Sequence, residues 1–202
     1  MKIILGTTNK GKIEQVTNFF KYKNIDIDFI SLKEIGFDED IEENGETLEE
    51  NSLIKAKVIK EYCNKKGINE IIVTDDTGLF VDALNGRPGV HSARYAGDHA
   101  PQEVCINKLL TEMKDVPDEE RGASFFCVLT AILKNGEILT SKGETRGSIV
   151  KVAGSMGKLT YGPVLKPEGM DRVMNDLTDE ELGLTHREKA WLELIEIINS
   201  EE

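Results

Sequence analysis

The chain has 202 residues, of which 39% are hydrophobic and 31% are charged, and its formal net charge is −12. This length and composition predict one folded domain with a sizeable core and exclude an intrinsically disordered chain. The negative charge argues against nucleic acid or an anionic membrane surface as a partner, because both attract basic proteins, although a small anionic ligand can still bind in a local basic pocket.

The cysteines and the apolar runs indicate a compartment. Cys63, Cys105 and Cys127 are widely spaced and form no CxxC pair, which indicates neither a zinc site nor a disulfide framework. Buried free thiols in a reducing cytoplasm are the expected state. Because no apolar run is long enough for a signal peptide or a membrane span, we expect a cytoplasmic protein with no membrane partner.

The first predicted elements are a strand, a polar turn and a helix. Residues 2–6 are an apolar run ending in glycine, and apolar residues recur at helical spacing from Ile13 to Phe20. The turn between them offers backbone N–H groups, two lysines and the positive end of a helix, which would suit an anion. From composition alone, however, an ordinary strand–helix loop is the favoured interpretation, and the P-loop spacing is missing. This turn consists of Thr7, Thr8, Asn9, Lys10, Gly11 and Lys12.

A second strand is predicted over residues 26–30, and an acidic loop typical of solvated surface follows over residues 37–46. Thr47 then begins a helix, because its hydroxyl can cap the first turn and Glu50, three residues later, completes a capping box. Lys55 lies in the next turn and can project from the same face as the beginning of the helix. Lys65-Lys66-Gly67 marks the end of the helix.

The chain is organised around the stretch that follows this helix. Residues 70–74 predict a buried strand, and Asp75-Asp76-Thr77-Gly78 reads as a turn at the end of that strand. An unpaired ionised carboxylate is costly to bury. The two aspartates therefore need a partner, and a metal ion, a lysine or a helix N-terminus would serve.

The second half of the chain predicts a helix, a β-hairpin, a glycine-rich loop, a turn and two further helices. The Asn135-Gly136 dipeptide indicates the hairpin, and Thr178 and Thr185 each begin a helix. His186 and Arg187 fall in the first turn of the last helix, where the helix dipole disfavours cations, so we expect them to serve a ligand contact. The helix, the two strands, the loop and the turn are predicted over residues 102–113, 124–133, 138–145, 154–164 and 165–169.

Five spaced blocks resemble the Ham-type nucleoside triphosphate pyrophosphatases that act on inosine and xanthosine triphosphates and their deoxy forms. The resemblance extends from Lys2 to about Trp191, nearly the whole chain. The blocks are Thr8-Asn9-x-x-Lys12, Glu42-Glu43-Asn44-Gly45-x-Thr47-x-x-Glu50-Asn51-x-x-x-Lys55-Ala56, Asp75-Asp76-Thr77-Gly78-Leu79, Gly86-x-Pro88-Gly89-Val90-x-Ser92-Ala93-Arg94-Tyr95 and Thr185-His186-Arg187.

The resemblance implies a mixed α/β fold, with an elongated twisted sheet, flanking helices and two lobes around a central cleft. The second lobe would be built largely from residues 85–165. It further implies a homodimer and a Mg²⁺-dependent reaction that splits a small-molecule nucleoside triphosphate into monophosphate and pyrophosphate. Such a reaction removes non-standard purine nucleotides from the nucleotide pool.

The resemblance also implies a role for each matching residue. Asp76 would be the general base that activates water, and it would hold Mg²⁺ together with Glu42, Glu43 and Glu50. Residues 7–12 and Lys55 would bind the triphosphate, and Thr77 would contact the substrate. The base would be contacted by His186, by Arg187 and by a loop consisting of Lys158, Leu159, Thr160, Tyr161 and Gly162.

The chain departs from the family pattern at residues that would contact the nucleotide base. Leu159 stands where an aromatic residue is usual, Gly162 stands where a carboxylate is usual, and the lysine that usually precedes the Thr185 block is absent. We therefore expect Lys158 to replace that lysine. Two alternatives remain open: a pyrophosphatase with altered base specificity, such as a Maf-like enzyme for modified pyrimidine nucleotides, and a relative that binds nucleotides without hydrolysing them.

Overall fold

The computed structural model describes residues 1–157 and 159–200 in full, together with the backbone of residue 201. Lys158, predicted to lie at the base, falls outside the described residues. Within the described ranges the chain forms seven strands and five α-helices. In chain order these are β1 (Lys2–Leu5), α1 (Lys10–Tyr22), β2 (Asp28–Ser31), α2 (Leu48–Lys66), β3 (Ile71–Val81), β4 (Pro88–Gly89), α3 (Gln102–Glu112), β5 (Gly122–Ile132), β6 (Ile138–Ile149), β7 (Leu165–Pro167), α4 (Asp179–Leu182) and α5 (His186–Glu201).

The strands of the described ranges belong to one mixed sheet. Six strands follow the order β2-β1-β3-β5-β6-β7, and β4 pairs with β3. β1 pairs in parallel with both β2 and β3, whereas β4 on β3 and β7 on β6 are antiparallel. The parallel pairs are joined by crossovers that contain α1 and α2, as parallel strands require. The predicted mixed α/β class is confirmed.

The chain divides into two compact units, neither of which is a single continuous segment. The first unit consists of Met1–Asp76, Cys127–Gly143 and Arg187–Glu202, and the second consists of Thr77–Phe126 and Glu144–His186. Residues 127–143, which lie within the span predicted for the second lobe, belong to the first unit. The predicted division into two lobes with a cleft between them stays a prediction.

The core of the first unit lies between α1, α5 and the strands beside them. Trp191 of α5 is buried, and its ring meets those of Phe20 and Phe29 edge-on at 5.6 and 5.7 Å. Five apolar residues of α5 are buried and form its inner face. They are Ala190, Trp191, Leu194, Ile195 and Ile198.

The ends of α2 follow the local signals of the sequence. Thr47 Oγ1 accepts a hydrogen bond from the Glu50 N–H at 3.1 Å, and Gly67 ends the helix with a left-handed φ of 69°. The predicted N-cap and stop signal are therefore confirmed. The predicted capping box is wrong, because the Glu50 side chain accepts a hydrogen bond from the Glu46 N–H and not from that of Thr47. Among the described helices, none is both long and apolar enough to cross a bilayer.

The predicted turn at Asp75–Gly78 is wrong, because β3 continues through these residues to Val81. Leu79 and Val81, which follow the two aspartates in the strand, are buried. The buried strand therefore does not end at the aspartates. Asp75 and Asp76 predict a strand end from sequence alone because the cations that compensate them are distant in the sequence. A smaller error concerns the predicted turn at residues 165–169, which begins with β7.

Gly6 is a position where the packing of β1 against β3 and α2 can be tested. A Cβ at Gly6 would lie 2.4 Å from Thr74 Cγ2 and 2.9 Å from Ile59 Cδ1. We expect Gly6→Ala to lower the free energy of unfolding by about 1–3 kcal/mol, because the buried site is overpacked. Chemical denaturation measures this.

The control for this prediction is Thr74→Ser, which removes the obstructing methyl group and keeps the hydroxyl. The loss caused by Gly6→Ala should be smaller in the Thr74→Ser background than in the wild type, because the two positions are in contact. Equal losses in both backgrounds would contradict the steric explanation.

Candidate functional site

Asp75 is a buried carboxylate in the middle of β3, and two cations face it. Lys12 Nζ lies 2.9 Å from Asp75 Oδ2, and Arg187 Nε and Nη2 both lie 3.3 Å from the same oxygen. Burial raises the pKa of Asp75, but the charges of Lys12, Arg187 and Lys55 outweigh burial and hold the pKa well below its usual value. Asp75 is therefore an ionised partner for two basic side chains.

The two cations reach Asp75 from helices at opposite ends of the sequence. Asn9 caps α1 by accepting a hydrogen bond from the Lys12 N–H at 3.2 Å, which places Lys12 in the first turn. Arg187 is the second residue of α5, and its Nη1 donates to Gln15 Oε1 of α1 at 2.6 Å. Arg187 thus links α5 to both α1 and β3, which accounts for a cation in an unfavourable first turn.

Asp76 has a different environment from its neighbour. Its Oδ1 lies 3.4 Å from Lys55 Nζ, while its Oδ2 is buried and accepts no hydrogen bond from any described residue. Burial raises the pKa of Asp76, and the charges of Lys55 and Lys12 offset this effect only in part. A carboxylate with a raised pKa and an unused oxygen has the properties of a general base or a metal ligand.

Lys55 brings a second carboxylate to the same place. Its ammonium group is largely buried and lies 2.8 Å from Glu43 Oε2 as well as 3.4 Å from Asp76. Ser52 holds this turn of α2 on β3, because the Thr74 hydroxyl donates to the Ser52 carbonyl oxygen at 2.7 Å. The prediction that Lys55 and the acidic loop serve one site therefore has a structural basis.

The other predicted metal ligands lie elsewhere in the acidic loop and in α2. Glu42 is exposed, and Glu50 Oε2 accepts a hydrogen bond from the Glu46 N–H at 2.6 Å. Within residues 1–157 and 159–200, no group of three or more His, Cys, Asp or Glu side chains is arranged to hold a metal ion. Among the four predicted ligands, Glu43 and Asp76 both contact Lys55. The metal role of all four carboxylates stays a prediction.

The predicted phosphate turn is partly the beginning of a helix. Thr7, Thr8 and Asn9 precede α1, whereas Lys10, Gly11 and Lys12 form its first turn. Apart from Thr7 and Lys12, which are half-buried, these residues are exposed. Exposed N–H groups at the positive end of a helix suit an anion.

The predicted base-contacting residues of the second unit are largely buried. Tyr161 donates from its hydroxyl to the Ser92 carbonyl at 2.9 Å. His186 stacks on Phe125 with ring centroids 4.8 Å apart, and its backbone N–H donates to Thr145 Oγ1 at 2.8 Å. Leu159 is half-buried and Thr160 exposed, and Thr77 is half-buried in β3.

Three polar residues of these surroundings were missed by the sequence analysis. Gln15 binds Arg187, and its position three residues after Lys12 on a helix was the one signal that could have revealed it. Gln102 and Asn175 bind the backbone of the predicted base loop, and no local pattern marks them. They are first recognised from their contacts in the folded chain.

Comparison with known proteins gives full-length matches. A sequence model of the Ham1 family matches residues 3–197. The chain is 39% identical over 191 residues to the dITP/XTP pyrophosphatase of Clostridium perfringens, which covers 94% of this chain and 93% of that protein. It is 35% identical over 198 residues to the dITP/XTP pyrophosphatase of Bacillus subtilis, with 98% and 96% covered.

Solved structures agree with the fold. The Ham1 protein of Staphylococcus aureus is 32% identical, with a TM-score of 0.83 and coverage of 100% of both chains. A HAM1 protein from Coxiella burnetii is 29% identical, with a TM-score of 0.82 and the same coverage. The likeness therefore includes all the elements that carry the residues described above.

The burial of the Asp75–Arg187 pair predicts a large effect on stability. We expect Asp75→Asn to lower the free energy of unfolding by about 3 kcal/mol, because it leaves a buried guanidinium group without its carboxylate. The side chains of this pair are 8% and 5% exposed. Denaturant unfolding monitored by tryptophan fluorescence measures the loss, since Trp191 is the single tryptophan.

The chain offers a matched control in Asp82→Asn, which breaks a second aspartate–arginine pair. The side chains of Asp82 and Arg146 are 53% and 39% exposed. An exposed pair contributes at most about 1 kcal/mol, so the loss should be small. Similar losses for the two variants would show that burial does not decide the contribution of Asp75.

Proposed function

Because the chain belongs to the Ham1 family, we propose that it hydrolyses non-standard purine nucleoside triphosphates (dITP, XTP and ITP) to monophosphate and pyrophosphate. The observation that carries this proposal is Asp76, whose Oδ2 is buried without a hydrogen bond beside Lys55. The relatives from Clostridium perfringens and Bacillus subtilis are dITP/XTP pyrophosphatases, which supports the same reaction.

Asp76 is the general base of the proposed reaction. It takes a proton from a water molecule, whose oxygen adds to the α-phosphorus while the bond to the β-phosphate breaks and pyrophosphate leaves. Lys55 Nζ lies 3.4 Å from Asp76 Oδ1 and favours the ionised carboxylate that this step requires. Asp75, whose pKa is lowered, stays ionised and serves Lys12 and Arg187 instead.

Mg²⁺ fits the carboxylates at Lys55. The ion takes oxygen ligands and is usually held by one or two protein carboxylates together with water and substrate phosphates. Asp76 and Glu43, which both contact Lys55, are the donors we assign first, and Glu42 and Glu50 complete the proposed set. When bound, Mg²⁺ offsets the charge of the phosphates.

The triphosphate is bound by backbone N–H groups and lysines of the first unit. Residues 7–12 contribute the positive end of α1, and Lys12 and Lys55 contribute charge that phosphoryl transfer requires. Both lysines contact aspartates of β3, so the protein itself holds them in position. Thr77, the next residue of β3, contacts the substrate in this proposal.

In this proposal the nucleotide base is contacted by Lys158, by residues 159–162, by His186 and by Arg187. The buried positions of His186 and Arg187 give them contacts with Phe125 and Asp75, and their base contacts are part of the proposal. Leu159 and Gly162 favour one alternative within the enzyme class, a pyrophosphatase whose base specificity differs from that of its relatives. A homodimer and a cytoplasmic location complete the proposal, the latter because all three cysteines are buried and none of them forms a disulfide.

The proposed base is tested by Asp76→Asn with dITP, XTP and ITP as substrates. We expect kcat for pyrophosphate release to fall at least about 100-fold, because an amide cannot accept the proton from water. Asp28→Asn, at an exposed position of the same unit, should keep wild-type rates. Full activity of Asp76→Asn would remove Asp76 from the chemistry.

Metal removal and a nucleotide panel test the rest of the proposal. A chelator should abolish pyrophosphate release and added Mg²⁺ should restore it, because the carboxylates alone leave the phosphate charge uncompensated. The panel should include standard and modified pyrimidine nucleotides. Release from those alone would favour the altered-specificity alternative, and no release from any nucleotide would leave a nucleotide-binding protein.

A further inference from the structure

The side-chain amide of Asn175 lies against the loop assigned to the base. Its Nδ2 donates to the carbonyl oxygens of Ser155 at 3.2 Å and of Leu159 at 3.4 Å. Its backbone N–H donates to the Gly162 carbonyl at 3.3 Å. One residue of the short helical turn Met174–Asp176 therefore contacts three separate points of residues 155–162.

Two glycines of the loop leave room for this amide. A Cβ at Gly162 would lie 2.1 Å from Asn175 Oδ1 and 2.7 Å from its Cγ. A Cβ at Gly157 would lie 3.0 Å from Asn175 Nδ2. A side chain at position 162 therefore cannot coexist with Asn175 in this position. The glycine at position 162 thus leaves the space that the Asn175 amide occupies.

A second amide fixes the same stretch of the loop. Gln102, the first residue of α3, donates from Nε2 to the Leu159 carbonyl at 3.0 Å and also to the Thr160 carbonyl. The Leu159 carbonyl oxygen therefore accepts hydrogen bonds from both amides. Because a hydrogen bond is geometrically directed, two donors on one carbonyl restrict the orientation of the Leu159 backbone.

We propose that Asn175 is a positioning residue for base recognition, which fixes residues 159–162 and thereby sets the affinity for the base. This inference rests on the proposed function and deepens it. Asn175 acts through the loop backbone, and Gln102 supports it from α3.

The test is Asn175→Ala, with dITP and XTP as substrates and inorganic tripolyphosphate as a competitive inhibitor that has no base. We expect KM for the nucleotides to rise roughly tenfold, because two hydrogen bonds to the loop are lost, while kcat stays within about twofold. The Ki of tripolyphosphate should not change. Asn107→Ala, an exposed asparagine of α3 in the same unit, is the matched control.

Two further variants keep the test decisive if Asn175→Ala folds poorly. Gln102→Ala should give the same pattern, since it removes the other donor to the Leu159 carbonyl and a donor to the Thr160 carbonyl. Gly162→Ala should raise KM for the nucleotides when it is introduced into the wild-type sequence. It should raise this KM less in the Asn175→Ala background, where the obstructing amide is absent.

The outcomes separate this inference from the proposed function. If the wild type releases pyrophosphate and Asn175→Ala keeps its KM, the inference is overturned alone. It is also overturned if KM and the Ki of tripolyphosphate rise together, because the effect would then not be confined to the base. A wild type that hydrolyses no nucleotide overturns the proposed function and the inference with it.

Discussion

The structure depends on a buried carboxylate, Asp75, held between Lys12 and Arg187. A strand can carry an ionised group through its buried middle only if cations compensate the loss of hydration. Here the cations come from α1 and α5, so the same interaction that makes Asp75 tolerable also attaches both helices to β3. Gln15 of α1 also binds Arg187, because its Oε1 accepts a hydrogen bond from Arg187 Nη1. Charge compensation and helix placement are therefore one constraint.

The same constraint separates the chemistry of two adjacent aspartates. Successive side chains of a strand point to opposite faces, so Asp75 and Asp76 enter different surroundings although they are neighbours in sequence. Asp75 meets two close cations and its pKa is lowered, whereas burial dominates at Asp76 and its pKa is raised. Environments that move two pKa values apart assign different roles to identical groups. Asp75 pairs with Lys12 and Arg187, and the proposed role in proton transfer falls to Asp76.

Local signals of the sequence predicted the elements well and long-range pairing poorly. Thr47 and Gly67 act within a few residues of themselves, and so the ends of α2 could be predicted. The partner of Asp75 is 112 residues away in Arg187, and hydrophobic periodicity carries no information at that distance. For this reason the acidic pair was interpreted as a turn, and Asn175, whose contacts are all tertiary, had no signal at all. The family resemblance goes beyond periodicity, since it predicts that Lys12, Lys55 and Asp76 serve one site, and that shared role stays a proposal.

The first unit is built from segments that the ribosome synthesises at different times. Its segments are Met1–Asp76, Cys127–Gly143 and Arg187–Glu202, so β1 and α1 are made long before α5. Until α5 emerges, Asp75 lacks the charge of Arg187, and the rings of Phe20 and Phe29 lack Trp191. A nascent chain of this protein therefore exposes an incomplete apolar surface through most of its translation, the condition in which chaperones protect a growing polypeptide.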